Sequence, residues 1–95
     1  MRGYEMMVIA RPDLDDAGLQ ALSDKIAGLI SENGGAVEST DAWKKQRLAY
    51  EINHFREGFY SVVTFKGEPR TADELNRVLK FTDGVVRFLI VRTDA

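Results

Sequence analysis

The stretch GYEMMVIA, residues 3 to 10, constrains this chain more than any other because it is apolar on both parities. In an extended strand Tyr4, Met6, Val8 and Ala10 project to one side, and Glu5, Met7 and Ile9 to the other. A strand of this kind belongs in the middle of a sheet and needs cover above and below. A chain of 95 residues holds one modest core, so a single domain over residues 1–95 is expected. What supplies the two covers then decides both fold and function.

The first cover is legible directly after the strand. Arg11-Pro12-Asp13 breaks the ladder, which proline cannot continue. Leu19, Leu22, Ile26, Leu29 and Ile30 then recur at spacings of three and four, which predicts an amphipathic helix. Asp13 or Asp15 caps its start, and Gly34-Gly35 ends it in the left-handed conformation that glycine tolerates. From Ala36 to Ile52 the pattern is strand-like, with Val37, Trp43, Leu48, Tyr50 and Ile52 as its bulky apolar members. That length exceeds a usual strand and predicts a bulge or loop between Asp41 and Gln46. Asn53 to Gly58 reads as a hairpin loop, and Phe59 to Phe65 as a strand rich in β-branched and aromatic residues. After a loop at Gly67 to Arg70, Thr71 and Glu74 form a capping box, and Leu75, Val78 and Leu79 mark the inner face of a second helix. Asp83-Gly84 turns the chain into a last strand, Val85 to Arg92.

The order β-α-β-β-α-β is that of an α+β, ferredoxin-like sandwich, a four-stranded sheet with two helices on one face. The sheet is expected to be of antiparallel-type mixed character, with right-handed crossovers placing the first and third strands parallel in its centre. Helices on one face leave the other open. Met7 and Ile9 share that open face with Leu89 and Val91 of the last strand, and an apolar sheet face of this sort suits a protein partner.

Charge is segregated along the chain. The net charge is −2, but between Asp13 and Asp41 seven acids face a single base, Lys25. That segment carries −6 and the remainder +4. Lys44, Lys45 and Arg47 gather in WKKQRLAYEIN, residues 43 to 53, while Arg2, Arg87 and Arg92 belong to the first and last strands. Such segregation gives one face that attracts polyanions and one that solubilises. Charges beside an edge strand also guard it against pairing with other chains, so the cluster has a structural explanation beside the phosphate-binding one.

Little else carries chemistry. His54 has no cysteine and no second histidine to join it, and reads as a solvated loop residue. Asp13, Asp15 and Asp16 complement the start of a helix more simply than they hold a metal. Gly34-Gly35 ends a helix, whereas a phosphate cradle opens one. RNA-recognition motifs share the topology, but Glu57 to Thr64 lacks the base and the later aromatics of their third-strand signature. No enzymatic activity, cofactor, metal or small-molecule substrate is expected. No apolar run approaches the roughly 18 residues of a membrane span, and Met1 to Glu5 lacks the features of a secretory signal, so an intracellular protein with no membrane partner is expected.

RLAYEIN, Arg47 to Asn53, closely resembles the signature of the bacterial small-subunit ribosomal protein six family. So do RGYE at the start, GFY at Gly58 to Tyr60 and DGVVRFLIVR near the end, in collinear order over essentially the whole chain. The resemblance implies the ferredoxin-like fold, a cytoplasmic location on the small ribosomal subunit and no catalysis. It also implies binding to the central domain of small-subunit ribosomal RNA jointly with small-subunit ribosomal protein eighteen. The family usually has glycine where Lys44 stands and often a base at Gln46, so the resemblance favours Lys45 and Arg47 over Lys44 as RNA contacts. The expected RNA-binding set is Arg2, Lys44, Lys45, Arg47, Arg87 and Arg92. The expected partner face is Met7, Ile9, Leu89 and Val91, with Leu48, Tyr50 and Ile52 assigned to strand and core. A competing reading on the same fold is a small regulatory module that homodimerises through its open sheet and binds a metabolite.

Overall fold

The computed structural model describes residues 1–93. β1 (Arg2–Ala10) leads to α1 (Asp16–Glu32), followed by β2 (Ala36–Thr40), β3 (Lys44–Ile52), β4 (Phe55–Gly67), α2 (Pro69–Leu79) and β5 (Val85–Arg92). The strands run in the order β2-β4-β1-β5, with β3 also paired to β4. Every pairing is antiparallel, in keeping with the antiparallel-type sheet expected above, but the central pair expected to be parallel is corrected. The helical crossover does join two parallel strands, β1 and β2, since both run opposite to β4. β4 returns from β3 by a hairpin and slots between them in the reverse direction.

One face of β1 is sealed by both helices. Tyr4, Met6, Val8 and Ala10 are buried against Leu19, Leu22, Ile26 and Ile30 of α1, Val63 and Phe65 of β4, and Leu75 and Leu79 of α2. Tyr4 and Phe65 lie directly opposite across the β1–β4 ladder, with ring centroids 5.3 Å apart. Each fully buried Val, Leu, Ile, Met or Phe of this set contributes about 1.5–3 kcal/mol through removal from water.

The ends of α1 follow the sequence closely. Asp15, and not Asp13, is the N-cap; its carboxylate accepts a 2.8 Å hydrogen bond from the Gly18 N–H. Gly34, with φ +83°, turns the chain after Asn33, and the Gly35 N–H bonds the Ile30 carbonyl at 2.8 Å. The start of α2 differs from expectation. Glu68 is its N-cap and Pro69 its first residue, so Thr71 occupies the third helical position and Glu74 pairs with Arg77 instead. Proline at the first position costs no hydrogen bond, which lets the helix begin before Thr71. The fully buried Thr71 hydroxyl accepts from the Glu68 N–H at 3.1 Å and donates to the Asn33 carbonyl at 2.7 Å. It thereby ties the end of α1 to the start of α2.

The long second strand is broken at residues 41–43, within the predicted interval. There the chain leaves the ladder so that Trp43 can reach α1, where its indole N–H donates to Ser23 Oγ at 2.8 Å. The Asp41 carbonyl at the break accepts from the Ser61 hydroxyl at 2.7 Å. Beyond β3 the hairpin turn is only Asn53-His54, at φ +50° and +69°, not the longer loop expected from Asn53 to Gly58. Two consecutive positive φ values give the tight turn whose twist matches paired strands, so Phe55 to Glu57 are recruited into β4. Gly58 is needed because β1 crosses closely: a Cβ there would lie 2.7 Å from Ile9 and 2.8 Å from the Ala10 carbonyl oxygen.

Thr71→Val keeps the shape but removes both hydrogen bonds and leaves the partly buried Glu68 N–H and Asn33 carbonyl without this partner. Urea or thermal unfolding is expected to show a loss of about 2 kcal/mol, roughly 10 °C in Tm. Thr71→Ser, which retains the hydroxyl, should lose about half as much. Equal losses for the two variants would remove the tie between helices from this account.

Candidate RNA and protein-docking face

Cross-strand partners in a sheet point to the same side, so the register lays out the open face row by row. One row runs Lys44, Tyr60, Ile9, Arg87 across β3, β4, β1 and β5. The next is Val62, Met7, Leu89, and the next Thr64, Glu5, Val91. Met7, Ile9, Leu89 and Val91 therefore lie together on the face that carries no helix. Leu89 is 52% exposed and Val91 40%, whereas Met6 and Val8 on the other side of β1 are fully buried. The apolar parity of β1 that the helices cannot cover is present as a surface.

Part of that surface is roofed. The ladder between β3 and β4 is regular from Lys44 to Arg47, then shifts register before Ile52 meets Phe55. This irregularity swings residues 48–52 over the sheet. Leu48, Tyr50 and Ile52 line one wall of a groove of about 320 Å³ whose floor and far wall include Met7, Ile9, Tyr60, Arg87 and Leu89. Tyr50 is 64% exposed, so the assignment of this arm to the core is corrected. The alternation Leu48, Tyr50, Ile52 is that of a strand with one apolar side, but the side faces a groove. The Tyr50 hydroxyl accepts a 2.9 Å hydrogen bond from Arg87 Nη1, and Asn53 Nδ2 reaches the Val86 carbonyl at 3.4 Å.

The cations expected to meet RNA fall into separate groups. Lys44 and Arg87 end the same row on the open face, roughly 14 Å apart over three strand spacings. Arg47, opposite Glu57, has the same parity as Lys45 and touches the groove only where the arm begins. Among the described residues no carboxylate pairs with Lys44, Arg47 or Arg87. Lys45 has the opposite parity; its Nζ lies 3.6 Å from Glu57 Oε1 and 5.6 Å from the centre of the Phe59 ring. Arg2 and Arg92 sit at the other end of the sheet, opposite Gly67 and Tyr4, roughly 20 Å along the strands.

Gln46 and Tyr60 line open-face cavities but were not among the expected site residues. The signal for Tyr60 was its parity with Ile9, which only the β1–β4 register reveals. The same register explains why the RNA-recognition alignment fails: Phe59 and Ser61 pair with Ala10 and Val8, on the helix side.

Other charged groups have plain structural roles. Arg11 bonds Asp13 at 2.8 Å and Asp83 at 3.1 Å, and these contacts, Asp13 foremost, raise its pKa. Its guanidinium is committed to holding the β1–α1 and α2–β5 turns together. His54 tips the hairpin with a 97% exposed side chain, 3.9 Å from Glu51. Among the described residues no group of three or more His, Asp or Glu is placed to hold a metal ion, and no helix is long and apolar enough to cross a membrane.

Comparison with known proteins agrees with this architecture. Residues 3–92 match the family described as Ribosomal protein S6. The chain is 84% identical over 92 residues to small ribosomal subunit protein bS6 of Symbiobacterium thermophilum, covering 97% of each chain. It is 48% identical over 94 residues to the protein of that name from Desulfitobacterium hafniense, covering 99% of each. The crystal structure of 30S ribosomal protein S6 from Thermotoga maritima superposes with a TM-score of 0.90 at 27% identity, over 97% of this chain and 87% of that one. The antiparallel ferredoxin-like sheet, its one-sided helices and these relatives lead to one conclusion: this chain belongs to the ribosomal protein S6 family.

Proposed function

We propose that this chain is a structural protein of the small ribosomal subunit in the bacterial cytoplasm. It binds the central domain of small-subunit ribosomal RNA jointly with small-subunit ribosomal protein eighteen, and it has no catalytic role. The observation that carries this reading is the open sheet face, where an apolar floor of Met7, Ile9 and Leu89 is bordered by Lys44 and Arg87, with Arg47 at the base of the arm beside it. An apolar floor suits a protein partner, and a cationic border suits the phosphates that run past it.

In this reading Met7, Ile9, Leu89 and Val91 receive the partner. Lys44, Arg47 and Arg87 meet phosphates along one edge of it, Lys45 contributes after releasing Glu57, and Arg2 with Arg92 forms a second contact at the far end of the sheet. Ribonucleoprotein docking over an extended path accommodates such separated contacts, because phosphates position a protein wherever the backbone passes. A net charge of −2 makes the isolated chain a weak RNA ligand, so a basic partner is needed for tight binding. The alternative, a metabolite-binding homodimer, would also use the open face; it predicts a free dimer at the top of a sucrose gradient, where the ribosomal reading predicts co-migration with small subunits in moderate salt.

Titration of central-domain RNA across a salt series, with the partner present, tests the cationic border. Arg47→Ala and Arg87→Ala are each expected to lower the slope of log affinity against log salt by about one. Lys45→Ala should lower it less, because Glu57 already neutralises part of that charge. Unchanged slopes would assign these residues to edge protection alone.

Leu89→Glu puts a charge into the apolar floor at an exposed position. Its unfolding free energy should stay within about 0.5 kcal/mol of the parent chain. Pull-down or calorimetry with small-subunit protein eighteen should show binding weakened at least about tenfold, the cost of a buried unpaired charge. Undiminished binding would move the partner face elsewhere.

A further inference from the structure

The hydrogen bond between Tyr50 and Arg87 joins two surfaces that the proposed function uses separately. Tyr50 belongs to the arm of residues 48–52 that roofs the groove, and Arg87 is a cation of its border. While the contact holds, the arm narrows access to Met7 and Ile9, and one guanidinium N–H faces a phenol instead of a phosphate.

We infer that the arm of residues 48–52 is a strap, latched shut by Tyr50 on Arg87, whose opening exposes the partner groove and releases Arg87 toward RNA in a single step. The inference rests on the ribosomal reading for its ligands, but its mechanical part stands on geometry. The register shift leaves residues 48–51 without ladder partners on β4, between the Arg47–Glu57 and Ile52–Phe55 pairs that hold the two ends. The two-residue turn at Asn53-His54 supplies a stiff tip, so movement is confined to the arm's base. Across the groove the arm is held by the 2.9 Å Tyr50–Arg87 bond and the longer 3.4 Å bond from Asn53 to Val86. Tyr50 is 64% exposed, so the apolar contact that opposes release is that of the half-buried Leu48 and Ile52.

The consequence is a linkage. If protein partner and RNA both prefer the open strap, each ligand alone bears the cost of unlatching, and the second to bind does not. Affinity for RNA then rises when the partner is seated, even without new contacts between the two. The size of that gain is set by how strongly the latch favours the closed form.

Tyr50→Phe removes the hydroxyl and keeps the ring, at a position exposed enough for folding to be unaffected. In the free protein, tryptic cleavage after Arg47 samples the open population, and it should rise about fivefold, the factor corresponding to one net hydrogen bond. Central-domain RNA should bind the variant alone up to about fivefold more tightly, while affinity in the presence of protein eighteen stays unchanged. The ratio of the two affinities therefore falls about fivefold. An unchanged cleavage rate, or an unchanged ratio, would overturn the latch. Failure of the parent chain to bind this RNA with the partner would instead overturn the ribosomal reading, and the cleavage comparison would still decide whether the strap is latched.

Discussion

β1 pairs along its length with β4 on one side and β5 on the other, so its apolar side chains can be buried only above and below the sheet. Among the described residues there are two helices, and both descend on the face of Tyr4, Met6, Val8 and Ala10. The connection through α1 and the return through α2 leave the same face of the sheet, and right-handed crossovers keep them there. Met7 and Ile9 are consequently left with half a cover. The rest of the molecule responds to that imbalance. The β3–β4 hairpin arm leans over part of the exposed floor, and Leu89 and Val91 extend the apolar surface beyond the arm's reach.

The distribution of charge follows the same division into layers. Asp16, Asp24 and Glu32 belong to α1, and Asp13 is held by Arg11 at the helix entrance. Lys44 and Arg87 lie on the opposite face of the sheet. A full layer of structure separates the two sets, and at physiological ionic strength charges more than about 8 Å apart across solvent are largely screened from each other. An acidic total and a cationic border therefore coexist in one small domain.

Local chemistry made much of this readable in advance. The Asp15 cap, the Gly34 turn, the break near Asp41 and the span Val85 to Arg92 depend on residues within a few positions of one another. The misses have a common cause in longer-range competition. Thr71 and Glu74 matched a capping box, but Pro69 began the helix earlier and the buried Thr71 hydroxyl found Asn33 of another element. Asn53 to Gly58 had loop composition, yet pairing of Glu57 with Arg47 drew all but two residues into strands. Tyr50 alternated like a core residue, and a register shift turned its strand segment out over the open face.

The sequence by itself determined most of the elements, their order, the two-sided apolar character of β1 and the parities that unite Met7 with Ile9 and Leu89 with Val91, because periodicity and turn residues act over short distances. It also displayed the family signature. Only the tertiary structure decided that neighbouring strands pair antiparallel throughout, that Lys44 and Arg87 end one row while Arg2 and Arg92 lie at the far end, and that Tyr50 meets Arg87. Those outcomes depend on register between strands distant in sequence, and a shift of one residue would exchange every side chain between the helix-covered face and the open one.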